Sequence, residues 1–165
     1  MLFSPPPETL AYWKQRPATP ATAADIAMLE ARLGLKAPPS YVEFMTTYGN
    51  VEFDDEINSR FEYVYESGGQ LERRSQLIAF IKSPQKAIRY WEGLQSDQRV
   101  SIPAHLLPFG MDYGQGELLI EFGQPTGRVY YWDFDTQNWD SGTTRIAFVA
   151  NDLVEFIDTL KPYEE

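Results

Sequence analysis

The feature that most constrains the fold is a series of four short β-prone segments in the second half of the chain, separated by glycine and proline. Strands that follow one another at such short intervals pair most simply with their neighbours in sequence, which predicts an antiparallel meander. The clearest connection is the turn sequence Gln-Pro-Thr-Gly, which predicts a hairpin with Glu121 and Phe122 opposite residues 129–131. The four predicted strands are 106–109, 117–122, 128–134 and 144–149.

Two amphipathic helices are predicted before this stretch. Thr22 and Asp25 have the spacing of a capping box, and Gly34 is suited to end the first helix. Ser40 with Glu43 gives a second start signal of the same kind, directly after two prolines. Apolar residues recur at helical spacing in both segments: Ile26, Leu29 and Leu33 in the first, and Tyr41, Phe44, Met45 and Tyr48 in the second.

The remaining segments predict further helices and strands around the meander. Residues 61–65 are rich in aromatic residues with partial alternation, which indicates a strand, and residues 77–81 are suited to continue the sheet. Ser83 before Pro84 predicts the start of a middle helix, and Asn151 or Asp152 the start of a last helix that ends by Pro162. We therefore expect an α+β fold with an antiparallel meander, a mixed sheet remaining an alternative.

Composition predicts one domain in a reducing compartment. The 165 residues, 43% of them apolar, are enough for a single core. Prolines interrupt residues 1–19 and leave room for a helical turn or two around residues 8–14, so we divide the chain into an N-terminal arm at 1–19 and a domain at 20–163. Without cysteine, a basic leader or a long apolar run, we expect a soluble cytoplasmic protein.

Charge favours a basic protein partner over nucleic acids or anionic membranes, because the formal net charge is -10. Six acidic residues against one basic residue occupy positions 52–66, whereas six basic residues against three acidic ones occupy 72–99. Phe53, Phe61 and Tyr63 lie within the acidic segment. They are either anchors for a partner or part of the core, and the sequence leaves both alternatives open.

Few residues are suited to catalysis. His105 is the single histidine, there is no cysteine, and no serine lies in a G-x-S-x-G motif. A calcium-loop-like start at Asp133 lacks glycine at its sixth position, Asn138, and glutamate at its twelfth, Thr144. The glycines at 110, 114 and 116 lack the spacing of a phosphate-binding loop. We therefore expect neither enzymatic activity nor a cofactor nor a metal site, with a carboxylate-based enzyme or metal protein as a remote alternative.

Four stretches of the chain, which together span about residues 22 to 160, follow one another in a characteristic order. They are Ile26 to Gly34 with Pro38-Pro39-Ser40-Tyr41 and Phe44-Met45; Tyr48-Gly49-Asn50; Leu107-Pro108-Phe109-Gly110 with Asp112 and Gly114 to Leu119; and Val129 to Asp133 with Ile146-Ala147 and Phe156-Ile157-x-x-Leu160. In this order they resemble the SUKH superfamily, which includes Smi/Knr-type fungal cell-wall regulators and bacterial toxin-immunity proteins. The chain departs from the family pattern at Gly49-Asn50-Val51, in place of Asn-Gly-Gly, and in an atypical insert at 50–81.

The resemblance implies a SUKH-type α+β fold used for protein binding, without catalytic residues or a cofactor shared by the family. We expect an immunity protein that neutralises a cognate bacterial toxin, for example a nuclease, by binding it. A regulatory or scaffold module of the cell-wall-regulator type is the alternative. The residues expected to bind the partner, a toxin or another basic protein, are Glu52, Asp54, Asp55, Glu56, Asp133, Asp135 and Trp139.

Overall fold

One six-stranded antiparallel sheet forms the centre of the protein, and the order of its strands follows their order in the chain. The structure, a computed structural model, describes residues 2–162. The predicted meander and the α+β class are confirmed, and every pairing between the described strands is antiparallel. The strands are β1 (Arg60–Ser67), β2 (Gln70–Ile81), β3 (Leu106–Asp112), β4 (Glu117–Glu121), β5 (Val129–Trp132) and β6 (Ile146–Ala150).

Strand β2 is longer than the predicted segment 77–81, because it forms a hairpin with the whole of β1. Gly68 and Gly69 both have positive φ angles, 59° and 80°, as the two central residues of a type I′ turn require. This hairpin was not predicted in full, because both strands carry many polar residues there. Polar residues are tolerated at these positions since most of the first half of β2 is exposed.

The predicted register between β4 and β5 is wrong, because neither Glu121 nor Phe122 lies opposite residues 129–131. Val129 lies opposite Ile120, and the strand ends at Glu121, whose N–H donates to the carbonyl of Arg128. The chain leaves β5 at this point because the N–H of Phe122 donates instead to the carbonyl of His105. The turn sequence therefore forms a wider loop than a tight hairpin would need.

Five helices within residues 2–162 flank the sheet, and the capping box of Thr22 and Asp25 is present. The predicted N-cap at Ser40 is wrong, because the helix begins at Pro39 and its N-cap is Pro38. Proline has the backbone φ angle of a first helical residue, so the pair of prolines sets the start. The helices are α1 (Pro7–Gln15), α2 (Ala23–Leu33), α3 (Pro39–Thr47), α4 (Pro84–Ser96) and α5 (Leu153–Asp158), with a 3-10 turn at Phe134–Thr136.

Both faces of the sheet are covered near its centre. Strand β4 illustrates this, since Leu118 and Ile120 enter the main core while Leu119, on the other face, enters a smaller second cluster. This is why the strand is a continuous apolar run without alternation. The smaller cluster also contains Val100, Ile102, Leu106 and Trp132.

The N-terminal segment contributes to the main core. Phe3 and Trp13 are buried and pack edge-to-face against Phe44 of α3. Phe53, Phe61 and Tyr63 of the acidic segment are also buried, so the structure supports the second of the two alternatives, that these three residues are part of the core. The predicted domain boundary at residue 163 lies just outside the described residues.

Candidate protein-binding surface

An acidic loop joins α3 to β1, and its first residues are attached to the sheet. The N–H of Phe53 donates to the carbonyl of Ala79 at 2.9 Å, and the Phe53 side chain is buried. Asp54 then begins a turn, because its carboxylate accepts the N–H of Glu56 at 2.8 Å. The backbone is thereby fixed on both sides of the loop, which presents the side chains of Glu52, Asp54, Asp55 and Glu56.

These four carboxylates, which we call the acidic cluster, are not neutralised by the rest of the described chain. Within residues 2–162, no lysine, arginine or histidine forms an ion pair with any of them. Glu62 of the same segment behaves differently, since it pairs with Arg60 at 3.1 Å and with Arg73 at 3.7 Å. The β1–β2 hairpin therefore brings the basic segment onto part of the acidic one and leaves the acidic cluster unpaired.

An exposed tyrosine lies beside the acidic cluster. Tyr113 is 60% exposed, and its hydroxyl donates to the carbonyl of Phe53 at 3.0 Å. Partial burial, together with the charges of Asp55 and Asp54, raises the pKa of Tyr113 above its ordinary value. A cleft of about 510 Å³ lies here, lined by the acidic residues Glu52 and Asp54 and by Tyr12, Phe80, Met111 and Tyr113. Tyr113 was not among the predicted binding residues, because only the fold brings it to the acidic cluster.

Helix α1 holds the acidic loop from the other side. The indole N–H of Trp13 donates to the carbonyl of Glu52 at 2.9 Å, and its ring lies edge-to-face on Phe53 with centroids 5.7 Å apart. Tyr12 of the same helix reaches the cleft. The acidic cluster is therefore supported by residues that lie before position 20.

The other predicted binding residues form a separate group after β5. Asp133 is buried, and its carboxylate accepts the N–H of Asp135 at 3.0 Å and the hydroxyl of Tyr63 at 3.1 Å. Burial and the charge of Asp133 raise the pKa of Tyr63. Arg74 lies 3.5 Å from the same carboxylate, so this charge is compensated within the chain.

Trp139 is part of the second cluster on the outer face. Its ring lies edge-to-face on Phe134, with centroids 5.4 Å apart, and the guanidinium of Arg99 lies 4.9 Å from the ring centre. Asp135 is exposed nearby, at the 3-10 turn. The structure thus brings the four carboxylates of the acidic cluster together, and places Asp133, Asp135 and Trp139 in a second group. No hydrogen bond or ion pair within residues 2–162 joins this second group to the acidic cluster.

The glycine-rich stretch after β3 is a turn built around Asp112. Its buried carboxylate accepts the N–H groups of Gly114 and Gly116, at 2.8 and 2.7 Å, and the hydroxyl of Tyr131. A side chain at position 116 would collide with the Tyr131 hydroxyl, so the close approach requires glycine there. Of the three glycines, Gly114 and Gly116 therefore belong to this turn, and Gly110 lies in strand β3.

A buried ion pair that no local sequence pattern predicts lies in the sheet. The Lys82 ammonium contacts the Glu117 carboxylate and the carbonyls of Pro108 and Gly110, at 3.3 and 3.4 Å. Burial raises the pKa of Glu117 to about 7 and lowers the pKa of Lys82. The pair is enclosed by the sheet and the ring of Tyr90, so it serves the interior of the fold.

The described residues offer little for metal chemistry. His105 is exposed, with its Nε2 atom 3.7 Å from a Glu121 oxygen. Residues 2–162 contain no group of three or more histidine, aspartate or glutamate side chains arranged to hold a metal ion. None of the helices described is long and apolar enough to cross a membrane.

Comparison with known families relates the fold to one of them. Residues 20–159 match the model of the SMI1 / KNR4 family (SUKH-1). The match includes the whole sheet, the acidic loop and helices α2 to α5, and it begins after α1. No curated protein matches the chain. Because the match covers most of its length, the chain belongs to the SMI1 / KNR4 family, SUKH-1.

Proposed function

We propose that this protein is a non-catalytic binding domain that acts as an immunity protein and neutralises a cognate toxin by binding it. Membership of SUKH-1 is consistent with a protein-binding role of this kind. The observation that carries the proposal is the acidic cluster, a set of carboxylates without basic partners in the described chain, beside the exposed Tyr113. A basic protein, such as the cleft of a nuclease toxin, is the complementary partner.

Charge and aromatic area have different roles in such a contact. Unpaired carboxylates attract a basic surface over a distance and can raise association rates from about 10⁵–10⁶ to about 10⁸–10⁹ M⁻¹s⁻¹ at low salt. Tyrosine supplies a large, rigid contact area and is enriched among residues that dominate binding energy. We therefore assign steering to Asp55 and Glu56 and anchoring to Tyr113.

The remaining predicted residues have a secondary place in the proposal. Asp135 and Trp139 add a second contact region beyond the acidic cluster. Asp133 acts from the interior, by holding Tyr63 and the 3-10 turn that carries Asp135. A partner that contacted the acidic cluster alone would leave Asp135→Lys without effect on binding.

A regulatory module is the second candidate, because the matching family is described by the names SMI1 and KNR4. Such a module would bind proteins of its own cell without neutralising a toxin. The two candidates share a binding surface and differ in the partner. Rescue of growth during co-expression with a toxic polypeptide encoded beside this protein therefore distinguishes the two candidates.

The test is co-expression with the polypeptide encoded immediately upstream, scored by growth and by co-purification. We expect growth to be rescued and a stable complex to form. Asp55→Lys/Glu56→Lys spares the turn-forming Asp54 and should weaken the complex by about tenfold or more at low salt. Asp140→Lys, an exposed charge reversal in another turn, is the control and should retain rescue.

Two outcomes would count against the proposal. A toxic neighbour that is not rescued, or a neighbour without toxicity, would favour the regulatory module. Rescue that survives Asp55→Lys/Glu56→Lys unchanged would preserve immunity but remove the acidic cluster as its basis. Thermal unfolding of each variant confirms that it is folded, and we expect the double variant to match the wild type because it relieves repulsion between carboxylates.

A further inference from the structure

The two edge strands of the sheet, β1 and β6, lie close to each other without pairing. A groove of about 640 Å³ opens between them, which we call the edge groove. Its floor includes Tyr63 and Tyr131, whose hydroxyls are bound by buried carboxylates. The edge groove is distinct from the cleft beside the acidic cluster, because the two share no lining residue.

Part of the outer edge of β1 has free backbone groups. Residues opposite each other beside a two-residue hairpin turn exchange hydrogen bonds, and the alternation of an antiparallel ladder then points every second residue away from β2. Arg60 confirms this phase, because its N–H and C=O pair with Lys161 and not with β2. Further along the same edge, the outward groups of Glu62, Val64 and Glu66 pair with no strand in the described part of the chain.

Exposed apolar side chains concentrate around the edge groove. Val64 is 45% exposed, Leu71 76% and Phe148 48%, and all three line it. They project from the outer face of the sheet, since Val64 alternates with the buried Tyr63 and Phe148 packs on Tyr130. Large exposed apolar groups gathered at one place mark binding surfaces more often than scattered ones do.

The rim of the edge groove has a charge that indicates what it accepts. Arg145 is exposed, and its guanidinium donates to the Tyr65 hydroxyl at 3.2 Å and lies over the Tyr65 ring. Among residues 2–162 no carboxylate forms an ion pair with Arg145, whereas Arg74, on the same ring, is paired with Glu72 at 2.9 Å. The groove is also lined by the exposed Glu66 and by Asp133, but Asp133 is paired with Arg74, so Arg145 is the position on this rim that is complementary to a carboxylate.

We infer that the edge groove binds an extended segment of a partner protein, which adds as a strand to the outer edge of β1 and carries an apolar residue next to an acidic one. Backbone hydrogen bonds to Val64 and Glu66 give such a segment its affinity, and side-chain contacts give it specificity. Because adjacent side chains of a strand point to opposite faces, the apolar residue reaches Val64, Leu71 and Phe148 while its neighbour reaches Arg145. Lys161 already pairs in this way with Arg60, through antiparallel backbone hydrogen bonds at the beginning of the same edge. The inference is independent of toxin neutralisation.

The test uses a phage-displayed library of random dodecapeptides, selected on the immobilised full-length protein. We expect selected peptides to share adjacent apolar and acidic residues, and to slow hydrogen exchange at the amides of Val64 and Glu66. Phe148→Ser and Arg145→Glu should each raise the Kd at least about tenfold. Leu10→Ser and Arg89→Glu change an exposed apolar residue and an exposed arginine elsewhere, and should leave the Kd unchanged.

A third variant tests the backbone contact itself. Val64→Pro removes an outward N–H while leaving the ladder to β2 intact, since proline is accepted on edge strands where its nitrogen faces solvent. It should abolish peptide binding. Failure to select peptides, or peptide binding that is insensitive to all three groove variants, would overturn the inference. So would protection of Val64 and Glu66 that grows with protein concentration in the absence of peptide, because a second copy would then occupy the groove.

Discussion

At the scale of single residues, the most unusual side chains are Lys82 and Glu117, two charges in the interior of the sheet. Moving charges out of water is costly, so a buried pair is tolerated where further hydrogen bonds satisfy it. Lys82 has such bonds, to the carbonyls of Pro108 and Gly110. The raised pKa of Glu117 and the lowered pKa of Lys82 both show that burial works against the charged forms.

Removing one partner of this pair should be more harmful than removing both. We expect Lys82→Met to lower the free energy of unfolding by about 3–5 kcal/mol at neutral pH, and Lys82→Met/Glu117→Leu to lower it by less. Denaturant unfolding at matched pH measures both. A double variant less stable than Lys82→Met would show that Glu117 stabilises the interior without its partner, contrary to this reasoning.

The loss in Lys82→Met should also depend on pH. Without the ammonium, the folded-state pKa of Glu117 rises further above its unfolded value of about 4.5. The folded state then holds a proton that the unfolded state releases, so stability is retained below about pH 4.5 and falls as the pH rises above it. Wild-type Glu117 already has a pKa of about 7, so the gap between wild type and Lys82→Met should change little between pH 4.5 and about 7, where this carboxyl is protonated in both folded proteins. It should widen above about pH 7, where only the wild type releases the proton. A gap that narrowed with rising pH would contradict the assignment.

At the scale of elements, most segments were predictable because local signals coincide with the packing. The Thr22 capping box and the Ser83-Pro84 start are satisfied within a few residues of sequence, and the apolar stripes that follow them enter the main core. The β1–β2 hairpin was not fully predictable, because its distal half is polar on both strands and only Gly68-Gly69 marks the turn. The predicted N-cap at Ser40 was wrong because the two prolines before it already set the helix start.

The candidate site was predictable only in part, for the same physical reason. Four consecutive or nearly consecutive acids identify the acidic cluster in the sequence, since they stay together in any fold. Tyr113, Tyr12 and the β1–β6 groove depend on contacts between distant segments, which no local pattern encodes. Asp133 was predicted to contact the partner, but its carboxylate lies in the interior, where it accepts the buried hydroxyl of Tyr63.

Helix α1 offers an element-scale prediction, because it fastens the acidic loop through Trp13. We expect Trp13→Ala to cost about 3–5 kcal/mol of unfolding free energy, as for other buried aromatic side chains. Trp13→Phe should cost less, about 1 kcal/mol if the lost bond to the Glu52 carbonyl dominates. Leu10→Ala, on the exposed side of the same helix, is the control and should change stability by less than about 0.5 kcal/mol. Denaturant unfolding measures these differences. A free energy of unfolding that is the same in Trp13→Ala as in the wild type would mean that α1 contributes nothing to the stability of the fold.

At the scale of the whole molecule, the fold redistributes the charges that the sequence separates into blocks. Pairing of β1 with β2 places Arg73 beside Glu62, and Arg74 pairs with Glu72 two residues earlier on β2, so these charges of the hairpin are neutralised locally. The acidic cluster has no such neighbours in the described chain, so it is a local source of negative potential within a net charge of -10. A long-range field of this kind acts on the rate of encounter more than on the lifetime of a complex.

The association rate with a basic partner should therefore depend strongly on salt. Because the Debye length falls to about 10 Å at 0.1 M ionic strength, we expect the rate to fall steeply between about 0.02 and 0.3 M salt while the dissociation rate changes little. Stopped-flow fluorescence on the co-purified toxin and this protein measures both rates. Asp55→Lys/Glu56→Lys should flatten the dependence, whereas Asp140→Lys, with one charge reversed elsewhere, should flatten it only slightly. An association rate that ignored salt would show that binding rests on apolar contact, and would shift the main interface from the acidic cluster toward an uncharged surface.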